Sequence, residues 1–179
     1  MNSLSQWQNF YVIMGSAAGA LTGLQFVVMA LMADFPALEP ETKAIAAFST
    51  PSIVNFGVVL VLAAIDVMPF HSLGPVSLLW GAASVVGILY TGITAQRFRS
   101  QNAYSPVFED WFYRIILPFL GYSCLLAAAF IARSHASAAL FEVAAVVLLL
   151  LFVGIHDAWD NATFLVFYKR REVNPKDPD

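Results

Sequence analysis

Long apolar stretches separated by short polar segments dominate this chain. Five of them approach or exceed the roughly 20 residues that a helix needs to cross a bilayer. They run over Phe10–Met32, Phe48–Pro69, Val76–Thr94, Trp111–Ala132 and Ser137–Tyr168. The second is entered through Thr50-Pro51-Ser52, where a proline is tolerated if it lies in the first helical turn. The second and third are joined by the tight turn His71-Ser72-Leu73-Gly74-Pro75. The fifth is longer than a bilayer requires, so it tilts or projects past the surface. The pattern predicts an all-α integral membrane bundle of five transmembrane helices, forming one domain over 1–168. A charged tail over 169–179, with two prolines, is expected to be disordered.

Basic residues predict the orientation. Odd-numbered spans share one direction. The N-terminus, the second–third turn and the fourth–fifth loop then lie on one side, which carries Arg133. The other lysines and arginines of the chain lie opposite: Lys43, Arg97, Arg99, Arg114, Lys169, Arg170, Arg171 and Lys176. The side richer in basic residues is the cytoplasmic one. The N-terminus is therefore expected outside and the C-terminus inside. Four or six spans would spoil this partition. Lys169-Arg170-Arg171 is an anchor at the inner surface and a contact for anionic lipid.

Composition supports the same class. The chain has 179 residues, 59% hydrophobic and 12% charged. Soluble domains carry about twice that charged fraction. Cys124 is the single cysteine, so neither an intrachain disulfide nor a thiolate metal site can form. No basic n-region precedes the first apolar stretch, and Ala18-Gly19-Ala20 is a poor cleavage site because apolar sequence continues past it. It reads as a retained span. No Walker loop, dinucleotide fingerprint or nucleophile elbow is present. Catalysis has no direct support, and neither a cofactor nor nucleic acid is implied.

Polar residues inside spans are costly and mark candidate function. The fifth span contains His156-Asp157-Ala158-Trp159-Asp160-Asn161. At 3.6 residues per turn, His156, Asp157, Asp160, Asn161 and Glu142 fall within an arc of about 140°, and Trp159 points away. The acidic run is expected in the inner half of the bilayer or at its cytoplasmic edge. Gln25, Asn55, Tyr90 and Thr91 of other spans fall at compatible depth, and Tyr122 lies nearer the middle. One polar cluster centred on His156 and Asp160 is the expectation. Asp66 and His71 lie toward the outer face, where Asp66 is solvated or guards an entrance. Glu142 is placed to pair with Arg133 there. The acids Asp34, Glu39 and Glu41 read as a solvated loop.

Three roles fit the cluster. It forms an ion or proton pathway, with Asp160 and Asp157 as acceptors and His156 titrating near neutrality. It is a cap, in which Asp157 or Asp160 pairs with Arg97, Arg99 or Arg114 and pins the helices. Or His156 and Asp160, four residues apart, hold a metal. In the first span Gly15-x-x-x-Gly19-x-x-x-Gly23 makes a small-residue strip, suited either to packing within the chain or to a homo-oligomer seam. These roles lead to an oligomeric channel, a non-conducting structural or accessory subunit, or a metal-dependent membrane enzyme.

Gly15-Ser-Ala-Ala-Gly-Ala-Leu-Thr-Gly-Leu-Gln-Phe-Val-Val and Gly154-Ile-His-Asp-Ala-Trp-Asp resemble segments of a family of small multi-span bacterial membrane proteins with no established activity. The resemblance implies a multi-pass protein of the bacterial inner membrane and adds no substrate, cofactor or catalytic residue.

Overall fold

The computed structural model describes the backbone of residues 6–33, 39–100 and 111–173, and the side chains of residues 6–30, 51–97, 99 and 111–163. The described chain is all α, in five helical segments: α1 (Gln8–Ala33), α2 (Glu39–Val67), α3 (Leu73–Ser100), α4 (Leu117–Ile131, preceded by the π-helical turn Phe112–Ile116) and α5 (Ala136–Val173). Four contain segments long and apolar enough to cross a membrane: Gln8–Ala30, Leu73–Arg97, Phe112–Ile131 and Ala136–Thr163. Pro51–Val67 is a shorter apolar segment of α2.

Three boundaries depart from the sequence pattern. Pro51 lies inside α2, well beyond its first turn, because the helix begins at Glu39. A proline there forfeits one backbone hydrogen bond, which helices packed in membranes tolerate. α3 takes in Leu73-Gly74-Pro75 of the turn expected before it, with Pro75 in its first turn, where a missing N–H costs nothing. The expected tail begins as helix, since α5 continues through Lys169-Arg170-Arg171 to Val173. Basic residues favour a helical C-terminus, and Pro175 disfavours helix at the residue before it. Residues 174–179 of the tail, and the acidic loop residue Asp34, lie outside the described residues; Glu39 and Glu41 belong to the first turn of α2, with their side chains outside the description.

The helices do not pack in chain order. α1 packs on α2, α2 on α5, α5 on α4 and α4 on α3, whereas α2 and α3 touch only lightly despite their short connection. α5 is thus the central helix. Its buried face carries Val143, Val146, Val147, Leu150 and Val153, at the three- and four-residue spacing of one helical stripe. Phe152, Ile155 and Trp159 on the opposite side are exposed. α1 and α3 flank the bundle and expose Ile13, Leu24, Phe26, Leu78, Val86 and Leu89. So much exposed apolar surface matches a helix bundle solvated by lipid rather than water.

Glycines set two close approaches. A Cβ on Gly154 would lie 2.6 Å from the Phe56 ring, and one on Gly87 would run into the Tyr122 ring. The fully buried rings of Phe56 and Tyr122 therefore rest directly on the backbones of α5 and α3.

Candidate functional site

The polar centre of the bundle is Asp157. It extends the buried stripe of α5 one turn beyond Val153 and has a fully buried side chain, and Asn161 follows four residues later, also buried. This corrects the expected centre. His156 and Asp160 lie at the edge of the stripe, partly exposed, with 24% and 45% of their side chains accessible. The stripe passes through positions 150, 153, 157 and 161, and the three- or four-residue step selects Asp157 over its neighbour.

α4 supplies the countercharge. Pro118 lacks the N–H that would donate four residues back, and the turn before it is π-helical: the Leu117 N–H donates to the Phe112 carbonyl. A π turn rotates the residues before it relative to those after it and recurs at functional positions. Here Arg114 is buried, and its Nε lies 3.6 Å from Asp157 Oδ1, with side-chain exposures of 5% and 1%. That separation is an ion pair rather than a hydrogen bond. Neither carboxylate oxygen of Asp157 has a hydrogen-bond partner among the described residues.

Around the pair the same two helices interlock. Tyr113 stacks on the His156 ring at 3.7 Å and 7°, and His156 Nδ1 lies 3.4 Å from Asp160 Oδ2. Arg99 of α3 sits over the Trp111 ring, 5.7 Å from its centre. Tyr90 is within electrostatic reach of both Asp157 and Arg97, and Tyr122 is within reach of Tyr90. The site is a layer shared by α3, α4 and α5.

Of the residues expected to join it, Gln25 and Asn55 are buried, but no hydrogen bond or ion pair links them to Asp157 among the described residues. The Thr91 hydroxyl is turned back on the Gly87 carbonyl at 2.9 Å. Glu142 is half-buried near the other end of α5 and Arg133 is exposed. No group of three or more histidine, cysteine, aspartate or glutamate side chains converges among the described residues, so His156 and Asp160 have no third ligand there.

The glycine strip divides. A Cβ on Gly15 would meet Ala63 Cβ at 3.1 Å and one on Gly19 would meet Leu60 at 3.6 Å, whereas one on Gly23 would have nothing within 4 Å among the described residues. Gly15 and Gly19 are seated on α2, and Gly23 faces open space.

A second polar layer lies near the end of α2. Asp66 is 3% exposed, which corrects its expected solvation. It accepts a hydrogen bond from Trp80 Nε1 at 3.2 Å, and the fully buried Tyr11 lies within its electrostatic reach. The available signal was the apolar run Ala63-Ala64-Ile65 before Asp66, which marks a carboxylate carried into the packing. Near the same end, Trp7 meets Phe141 edge to face at 4.7 Å, and Gln6, Trp7, Phe10, Ser137, Leu140 and Phe141 line a groove of about 480 Å³.

No family model, curated protein or solved structure matches this chain.

Proposed function

We propose that the chain is a non-conducting structural or accessory subunit of the bacterial inner membrane, whose Arg114–Asp157 pair fixes α4 against α5. Five spans, with the N-terminus outside, fit the placement of the basic residues, and α2, at 29 residues, is long enough to serve as the fifth. The observation that carries the reading is the apolar packing between the two polar layers. Asp66 and Phe56 lie about 15 Å apart along α2. Over that interval Val59 and Leu62 of α2 and Val146, Val147, Leu150 and Val153 of α5 are all nearly or fully inaccessible. An ion moving along the α2–α5 contact would have to cross this layer without polar partners among the described residues, at a cost of several kcal/mol or more.

A conduit between copies is the second reading. It is favoured by the partly exposed Asp160 carboxylate and by the Gly23 face of α1, which is open among the described residues. Ion and proton flux into sealed liposomes separates the two. Folded wild type is expected to give no flux across a range of voltage and pH. Flux that Asp160→Asn abolishes, with the protein still folded, would replace the first reading by the second.

A further inference from the structure

We propose that Asp66 is a proton-binding site, whose second carboxylate oxygen holds an exchangeable proton taken from the solution bathing the α2–α3 turn. Trp80 Nε1 donates to Oδ1, and Oδ2 has no partner among the described residues. The Tyr11 hydroxyl is buried within electrostatic reach of this carboxyl and also has no partner among the described residues. An ionised carboxylate in a packed, lipid-solvated interior requires a cation. Asp157 has one in Arg114, and Asp66 has none among the described residues. Of the elements around it, α1 contributes Tyr11 and α3 contributes Trp80. The Ser77 and Ser84 hydroxyls of α3 are turned back on their own helix. Glu142 of α5 adds no positive charge. Arg114 is committed to Asp157 at the other layer, and His71, Arg133 and His135 are exposed in turns.

The donor set selects the proton among cations. A metal ion such as Ca²⁺ takes six or more oxygens, and this position offers one carboxylate oxygen and one phenol. A proton needs a single lone pair. It binds Oδ2 to give a neutral acid, and solvent supplies and accepts it with no redox step. The route is short, since Asp66 lies one residue from the end of α2 and the following Met68, Pro69, His71 and Ser72 are exposed. Proton binding at one buried group reached from one end requires no conduction through the chain.

The test is infrared spectroscopy of the full chain in lipid nanodiscs at neutral pH, reading the carbonyl stretch of a protonated carboxylic acid. The expected result is a band that Asp66→Asn removes and Asp157→Asn leaves. Trp80→Phe and Tyr11→Phe should each shift its frequency, because each removes a neighbour of the acid, and these two variants carry the test if Asp66→Asn does not fold. Absence of the band in wild type overturns the proposal. So does its persistence in Asp66→Asn, or a frequency indifferent to both Trp80→Phe and Tyr11→Phe.

Discussion

Asp157 and Asp66 are both aspartates buried in one helix bundle, yet the groups around them differ in kind. Asp157 faces a guanidinium 3.6 Å away, delivered by a π turn on another helix. Asp66 faces an indole N–H and, nearby, a phenol. The first is a charge pair whose members depend on each other. The second is an acid among neutral donors. Burial alone does not assign a role to an intramembrane carboxylate; the charge of its partner does.

The largest effect is expected when one member of the charged pair is removed. Asp157→Leu leaves Arg114 buried without its countercharge and should cost about 3–5 kcal/mol, whereas the double variant Arg114→Met/Asp157→Leu should regain most of that loss. Reversible unfolding in bicelles reads both. A double variant as unstable as the single one would mean that the pair is not the energetic unit.

The packing around each layer gives the next effect. Gly154→Ala forces the Phe56 ring away from the α5 backbone, and overpacking of this kind costs about 1–3 kcal/mol. The same unfolding assay is expected to show that loss, and an unchanged midpoint would mean that the ring moves aside freely.

Removing the partner of the neutral layer should do less. Trp80→Phe takes away the hydrogen bond to Asp66 and keeps an aromatic ring, for a loss of about 1 kcal/mol. A loss as large as that of Asp157→Leu would erase the distinction drawn between the two layers.

The smallest effect on the bundle is expected at Gly23→Ala, within about 0.5 kcal/mol, because the new methyl has open space. Oligomer mass in detergent, measured on the same sample, sharpens the point. A fall in mass with unchanged stability would assign the Gly23 face to self-association, and an unchanged mass would leave the strip to packing on α2.

Much of the site was legible one helix at a time. The polar arc of the last span, the outward turn of Trp159 and Arg114 as one possible partner all follow from helical spacing and a count of charges. The choice of Asp157 over His156 and Asp160 did not follow. That arc spans several residues, and its centre depends on where α2 and α4 press against α5. The Asp66–Trp80 contact was out of reach for a similar reason. Two residues on consecutive helices meet only if the helices converge at the turn, and α2 and α3 barely touch elsewhere.

The class of protein is written in the sequence: an all-α chain with apolar helices of membrane length and acids within them that require partners. Those properties reside in runs and periods along one strand of sequence, and backbone hydrogen bonding in an apolar medium enforces them locally. Only the tertiary structure decided that α5 is central, that a π turn before Pro118 brings Arg114 to Asp157, that Gly15 and Gly19 are seated on α2, and that Asp66 is buried beside Trp80. Each of these depends on which helix lies beside which. Side-chain packing between helices selects that arrangement, and no period within a single helix encodes it.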